Sequence, residues 1–274
     1  FPDYPAEIRA PAGTVNGVSS FQVHISDHDI TTPGDAPSVL VAMNPAALKA
    51  DLHRLVKGGL VIVNIDTFDE RNLEKADYQA NPLDDGTLTG YKVVQVPMTS
   101  LTKDATVPLG VKPRDAERSK NFFALGLVSF MYSRPIEATL EWIDDRFKKN
   151  DLVRQSNRAA FMAGFHYGET TEEFAHRYIV KPAHLPPGEY TNINGNLALA
   201  WGLVAAAQLA KLPLTLGSYP ITPASDILHE LSKHKNFGVR TVQAEDEIAA
   251  AALAVGASFA GLPALLQYLK LCAH

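Results

Sequence analysis

Short apolar runs alternate along the chain with longer segments in which apolar residues recur every three or four positions. The short runs have the length of buried strands, and the longer segments have the period of amphipathic helices. The strands predicted in this way cover residues 21–25, 39–43, 60–64, 91–96, 212–216 and 239–243. Helices are predicted at residues 45–57, 121–132, 135–147, 151–167 and 245–260, with two more at Gly195 and Thr222. This alternation predicts an α/β fold with parallel sheets.

A segment rich in proline, glycine and charge, residues 168–190, separates two α/β regions. Its composition is typical of an interdomain linker. We place the boundary near Leu185, which gives domains of residues 1–184 and 185–274, each a mainly parallel sheet flanked by helices. Residues 66–90 are polar and are predicted to form a surface excursion of the first domain.

Composition excludes several classes of function. The 274 residues are 46% apolar and 20% charged, and the net charge of −5 argues against a basic nucleic-acid-binding face. A single cysteine, Cys272, fits a reducing cytoplasm and cannot hold an iron–sulfur cluster through the usual four thiolates. No apolar run predicts a membrane span, and no phosphate loop or GxGxxG motif predicts a nucleotide site.

The first candidate site follows the strand at residues 212–216. It contains Tyr219, Pro220, Ile221, Thr222 and Pro223. One interpretation is structural, because Thr222 is a good N-cap and Pro223 suits the first position of a helix. The other is functional, because a turn stiffened by two prolines would hold Tyr219 and Thr222 in place for a small ligand.

The second candidate site follows the strand at residues 239–243. Glu245, Asp246 and Glu247 lie in the first turn of an alanine-rich helix. Acidic residues there are favoured by the helix dipole, which is a sufficient structural explanation. The alternative is functional, since a helix with so little bulk suits close contact with a backbone or cofactor, and Glu247 would then face that cofactor.

A third polar cluster lies at His24, Ser26 and His28, which would share one face of a strand. Two histidines without a further histidine or cysteine nearby are a weak metal motif. A polar strand end is the preferred interpretation.

The motifs from Gly195 to Gly261 resemble the pyrimidine-type thiamine diphosphate domain of 2-oxoacid:ferredoxin oxidoreductases. They are Gly195-Asn196, Tyr-Pro-Ile-Thr-Pro at residues 219–223 and Gln-Ala-Glu-Asp-Glu at residues 243–247. The resemblance implies that Glu247 is catalytic and hydrogen-bonds the aminopyrimidine ring of the cofactor. It also implies that residues 219–223 lie beside the 2-oxoacid, with Thr222 as the best candidate for substrate contact.

The first domain resembles the γ domain that precedes the thiamine domain in α subunits of this family, on residues 5–13 and 41–48. Two departures are evident. The strand and glycine-rich loop that open the γ domain are absent before Phe1, so we expect the chain to be a fragment. After Gly261 the sequence no longer follows the family, and we expect a truncation or frameshift there.

The resemblance implies an α subunit of a 2-oxoacid:ferredoxin oxidoreductase, and it is strongest to those acting on 2-oxoglutarate. Such enzymes convert a 2-oxoacid and coenzyme A to an acyl-CoA, carbon dioxide and reduced ferredoxin. Thiamine diphosphate would be shared with a β subunit, and Mg²⁺ and an iron–sulfur cluster would lie on that partner only. This chain alone would be inactive. Two alternatives stay open: pyruvate or another 2-oxoacid as substrate, and a non-catalytic assembly subunit.

Overall fold

The structure, a computed structural model, contains two compact units, Phe1–Leu185 (unit 1) and Pro186–His274 (unit 2). It describes residues 2–3, 10–30, 34–174, 177–222, 224–262 and 264–267, with only the backbone described at 2–3 and 264–267. Pro223, Cys272 and most of the tail after Gly261 therefore lie outside the described residues. Parallel sheets flanked by helices occur in both units, which confirms the predicted α/β class.

Unit 1 has a three-stranded parallel sheet in the order β3-β4-β5 and a short antiparallel pair, β1 with β2. Its strands are β1 Pro2–Asp3, β2 Ser20–Phe21, β3 Val39–Ala42, β4 Leu60–Asn64 and β5 Lys92–Val96. Its helices are α1 Pro45–Asp51, α2 Glu70–Lys75, α3 Met98–Thr106, α4 Pro113–Ala116, α5 Lys120–Met131, α6 Glu137–Arg146 and α7 Asp151–Thr170. The sheet consists of three strands that the apolar pattern predicts.

Two long helices of unit 1, α5 and α7, cross with their backbones in contact. A Cβ atom on Gly126 would lie 1.9 Å from the carbonyl oxygen of Phe161. A Cβ atom on Gly164 would lie 1.9 Å from the carbonyl oxygen of Phe123. Glycine at both positions therefore permits a closer approach of the helices than any side chain would allow.

Two local predictions in unit 1 are wrong. Only Phe21 of the strand predicted at residues 21–25 is paired, and the residues that follow it belong to no strand, because alternation does not supply a partner strand. The first helix ends at Asp51 and continues as a 3-10 turn, Leu52–Arg54. The surface excursion contains helix α2, which Asp69 caps through a hydrogen bond from the Asn72 backbone N–H.

Unit 2 has a parallel sheet in the order β7-β6-β8. Its elements are α8 Gly195–Ala210, β6 Leu214–Ser218, α9 Ser225–Leu231, β7 Val239–Gln243, α10 Glu247–Phe259 and β8 Ala264–Gln267. Strand β6 begins two residues later than predicted. Lys211 ends α8 in the left-handed conformation, and Pro213, which has no N–H to donate, precedes the first paired residue.

The two faces of β6 contact different helices. Leu214 and Leu216 belong to the apolar core that α8 and α9 form with the sheet. Gly217 points the other way, since a Cβ atom there would meet Ala250 and Leu253 of α10. Unit 2 is thus a three-layer sandwich, with α8 and α9 on one face of the sheet and α10 on the other.

Candidate active site

The carboxyl ends of β6 and β7 lie side by side, and both candidate sites extend from them. The two strands are parallel and pair in a register that sets Ser218 opposite Gln243. The Ala244 backbone N–H then donates to the Ser218 carbonyl oxygen at 2.8 Å. This hydrogen bond joins the loop before α10 to the residue that precedes Tyr219. Ligands of α/β proteins bind at this edge of a parallel sheet.

The turn after β6 differs from the predicted helix start. Helix α9 begins at Ser225 after Ala224, so the N-cap role predicted for Thr222 is wrong. The Ile221 carbonyl oxygen closes the turn instead, because it accepts from the Ser225 backbone N–H at 2.8 Å and from Ser225 Oγ at 3.1 Å. The Thr222 side chain is exposed. Its hydroxyl is thus not used as the helix cap.

Helix α10 begins at Glu247, two residues later than predicted, so Glu245 and Asp246 precede the helix and do not lie in its first turn. The Glu247 side chain is exposed at the carboxyl edge of the sheet. The preceding residue, Asp246, is the N-cap, and its Oδ1 accepts from the Ala249 backbone N–H at 2.7 Å. Asp246 is therefore the N-cap of α10, and the Glu247 carboxylate makes no hydrogen bond to a described residue.

An apolar stripe runs along α10 from the residue next to Glu247. Ile248, Val255 and Phe259 are spaced seven and four residues apart, which sets them on one side of the helix. Their relative exposures are 81%, 57% and 90%. We call this stripe the outer face of α10. The opposite side of the helix carries the buried Ala250 and Ala254.

The structure brings most of the predicted site together. Tyr219, Pro220, Ile221 and Thr222 follow β6, and Glu247 follows β7, so all five belong to one edge of one sheet. Tyr219 is half-buried, whereas Pro220, Ile221 and Thr222 are exposed. The fifth turn residue, Pro223, lies outside the described residues.

Two features beside this site are not predicted from the sequence. They are the close contact at Gly217 and the N-cap role of Asp246. Both left a signal in the sequence. A glycine inside a strand often marks a close approach of another backbone. An aspartate just ahead of an apolar helical run is a frequent N-cap.

Two other polar clusters in the described part of the chain carry no comparable arrangement. At the carboxyl edge of the unit 1 sheet, buried Asn64 donates to Thr99 Oγ1 at 2.9 Å, and Asp66 accepts from the Ser100 backbone N–H at 2.7 Å. These groups satisfy one another. His24 lies 3.6 Å from Asp35, and the described residues contain no group of three or more potential metal ligands. They also contain no helix long and apolar enough to cross a membrane.

Two family models match the chain, one to each unit. Residues 1–167 match the model described as pyruvate ferredoxin/flavodoxin oxidoreductase. Residues 206–265 match the model described as the thiamine diphosphate-binding part of pyruvate flavodoxin/ferredoxin oxidoreductase. The second match includes the turn after β6 and the start of α10.

Curated proteins and a solved structure agree with these matches. The chain is 58% identical over 95% of its length to the 2-oxoglutarate oxidoreductase subunit KorA of Mycobacterium tuberculosis, of which it covers 40%. It is 29% identical over 62% of its length to the alpha subunit of 2-oxoacid:ferredoxin oxidoreductase 1 of Aeropyrum pernix, of which it covers 27%.

The solved structure is that of the 2-oxoglutarate:ferredoxin oxidoreductase of Magnetococcus marinus, with 2-oxoglutarate, coenzyme A and succinyl-CoA bound. The TM-score is 0.61 at 26% identity, over 86% of this chain and 37% of that one. The chain therefore spans about two-fifths or less of the length of the relatives it matches.

Proposed function

Since the chain belongs to the pyruvate ferredoxin/flavodoxin oxidoreductase family, we propose that it forms part of the α subunit of a 2-oxoacid:ferredoxin oxidoreductase. Unit 1 is then the γ-type domain and unit 2 the pyrimidine-type thiamine diphosphate domain. The complete enzyme would convert a 2-oxoacid, coenzyme A and oxidised ferredoxin to an acyl-CoA, carbon dioxide and reduced ferredoxin. The observation that carries the proposal is that Glu247 and the Tyr219 turn follow the carboxyl ends of two adjacent parallel strands, β7 and β6.

The residues of unit 2 fit one half of thiamine diphosphate. Glu247 offers an exposed carboxylate that its own helix does not use, which suits a hydrogen bond to a ring nitrogen. Ala251, four residues after Glu247 and on the same side of α10, places only a methyl group beside that carboxylate. When bound, thiamine diphosphate supplies an electron sink for the loss of carbon dioxide. Glu247 would hold a proton at the pyrimidine nitrogen during this reaction.

The other half of the cofactor needs a different set of ligands. A diphosphate with Mg²⁺ is held by carboxylate, carbonyl and water oxygens, and the described residues contain no acidic cluster for a metal. An iron–sulfur cluster needs about four thiolates, and this chain has a single cysteine. On the resemblance to the family, we propose that Mg²⁺, the diphosphate and the cluster lie on a β subunit, with ferredoxin as electron acceptor.

The 2-oxoacid would lie against the Tyr219 turn. The Thr222 hydroxyl is free of the capping role and makes no hydrogen bond to a described residue, so it is available to a substrate carboxylate or carbonyl oxygen. Tyr219, Pro220 and Ile221 would form the wall around it. The two hydrogen bonds at the Ile221 carbonyl keep this wall in one conformation.

The identity of the relatives favours 2-oxoglutarate as the substrate. Its distal carboxylate needs a cationic partner, most often arginine or lysine. The described lysines and arginines of unit 2 precede strands or lie near their first residues, so they are close to the end of the sheet opposite the Tyr219 turn. They are Lys211, Lys233, Lys235 and Arg240. We propose that the residue reading the distal carboxylate comes from outside this set. Succinyl-CoA is the expected product, and acetyl-CoA would indicate pyruvate instead.

The central test is Glu247→Gln in the full-length chain assembled with its partner. The amide keeps the size of the side chain and removes its negative charge. We expect a fall in kcat of about 10²–10⁴-fold, the range typical of a lost acid–base group. Binding of thiamine diphosphate to the cofactor-free complex, measured by calorimetry, should weaken as well. The control is Glu189→Gln, an exposed glutamate ahead of α8, which should leave both quantities within about threefold of wild type.

The test also separates the non-catalytic alternative. An assembly subunit would retain its partner and its stability in Glu247→Gln, and neither turnover nor cofactor affinity would change. That result would overturn the proposed function.

A further inference from the structure

Gly217 lies directly beneath the first turns of α10. A Cβ atom at this position would lie 2.7 Å from the Ala250 carbonyl oxygen and 3.0 Å from Leu253 Cδ2. Its backbone conformation is an ordinary extended one, so glycine is needed here for space and not for a special φ. The contact is with the backbone three residues after Glu247, which a rotamer change cannot relieve.

Asp246 fixes the first turn of α10 from the side of the loop that precedes the helix. Its backbone is extended, with φ −150° and ψ 177°, and its side chain accepts from the Ala249 N–H. This hydrogen bond determines that the helix begins at the next residue, Glu247. The Ala244–Ser218 hydrogen bond ties the loop just before it to the end of β6.

We propose that Gly217 and Asp246 are positioning residues that hold the Glu247 carboxylate at a fixed place beside the Tyr219 turn. Gly217 sets the distance of α10 from the sheet, and Asp246 sets the residue at which the helix begins. The inference rests on the proposed role of Glu247 in binding thiamine diphosphate. Neither residue touches the cofactor in this proposal.

The test uses the full-length chain assembled with its partner and freed of cofactor. Gly217→Ala moves the first turn of α10 outward, and Asp246→Ala lets it fray. A displacement of about 1 Å at a catalytic group costs on the order of 10²-fold in rate. We expect the Kd for thiamine diphosphate, measured by calorimetry, to rise at least about tenfold in each variant. After thiamine diphosphate is restored to saturation, the KM for coenzyme A should not change.

Two variants in unit 1 match these substitutions. Gly59→Ala creates a similar clash, since a Cβ atom there would lie 2.8 Å from the Val56 carbonyl oxygen. Asp69→Ala removes a similar cap, because Asp69 accepts from the Asn72 backbone N–H at 2.9 Å. Both should destabilise their own unit by a comparable amount. Neither should change the Kd for thiamine diphosphate by more than about threefold.

Asp246→Asn separates positioning from charge. An asparagine side chain caps a helix about as well as aspartate but carries no charge. We expect this variant to restore the Kd for thiamine diphosphate to within about threefold of wild type. An Asp246→Asn complex as weak as Asp246→Ala would show that the charge itself matters, and the positioning role would be wrong.

Failure of the inference is distinguishable from failure of the proposed function. If Glu247→Gln weakens cofactor binding while Gly217→Ala and Asp246→Ala match their unit 1 controls, only the positioning role falls. If Glu247→Gln has no effect, the proposed function falls first. Thermal unfolding of each complex, with saturating cofactor and without cofactor, identifies any variant that fails to fold. If Gly217→Ala does not fold, the Kd of Asp246→Ala for thiamine diphosphate tests the positioning role.

Discussion

Glu230 joins three side chains at the end of α9. Its Oε1 accepts from Trp201 Nε1 at 3.0 Å and lies 3.2 Å from His234 Nε2, while Lys233 Nζ donates to Oε2 at 2.6 Å. The hydrogen bond from Lys233, followed by the one from Trp201, lowers the pKa of Glu230 from 4.5 to about 2. Because Trp201 belongs to α8, the ionised carboxylate links two helices of unit 2.

This link predicts an acid dependence of stability. The pKa of Glu230 is depressed in the folded unit, so its contribution is complete above pH 4.5 and is lost as the pH falls toward about 2. The free energy of unfolding should therefore fall more steeply across this range in wild type than in Glu230→Gln. Lys233→Met should reduce the slope as well. Chemical denaturation at several pH values measures it, and equal slopes in wild type and Glu230→Gln would contradict the assignment.

At the same scale, the sequence predicts the elements around the candidate site better than the residues at which they begin. Helix α10 is predicted from Glu245 and begins at Glu247. Thr222 has the chemistry of an N-cap, yet the helix begins three residues later, because the Ile221 carbonyl holds the Ser225 N–H and its hydroxyl. Which of two nearby residues begins the helix depends on the backbone path of the turn. The capping preferences of single residues do not specify that path.

Among the elements, α5 and α7 leave the least room for a side chain at the point where they cross. We expect Gly164→Ala to lower the free energy of unfolding of unit 1 by at least about 2 kcal/mol, because the helices must separate to admit a methyl group. Gly202→Ala in α8 is the matched control, since its Cβ atom would meet nothing within 4 Å in the described residues. The control should gain about 1 kcal/mol for unit 2 from helix propensity. Urea unfolding measures both, and a neutral Gly164→Ala would contradict the close crossing.

The strands and long helices could be predicted because their apolar periodicity is strong. The sheet strands at residues 39–43, 60–64, 91–96 and 239–243 were found close to their observed bounds. The local pattern also predicts a strand after Phe21 that does not form, since pairing is a property of two segments and only one is visible in a local pattern. The close approaches of Gly126 to Phe161 and of Gly164 to Phe123 are equally invisible, because they depend on which helices cross.

For the whole molecule, the alternation of strands and helices was sufficient to predict an α/β chain of two parallel sheets. It was not sufficient to predict the surfaces that the described residues leave open. The outer face of α10 is apolar along its length, whereas an ordinary surface helix is polar on the side facing solvent. Large apolar patches beside a site usually mark contact with another molecule. Since this face begins next to Glu247, the β subunit proposed above would cover it if that subunit completes the cofactor site.

Phe259→Asp tests this assembly at the far end of the face from Glu247. Phe259 is exposed, so the fold of unit 2 should tolerate the change, but an aspartate buried against an apolar partner would lose its hydration without gaining an ion pair. We expect the full-length chain to bind its β subunit at least about tenfold more weakly, as measured by sedimentation of the two chains. Ile179→Asp, at an exposed apolar residue of unit 1, is the control and should assemble normally. Normal assembly of Phe259→Asp would mean that the β subunit approaches Glu247 from another direction, leaving the apolar face of α10 for a different contact.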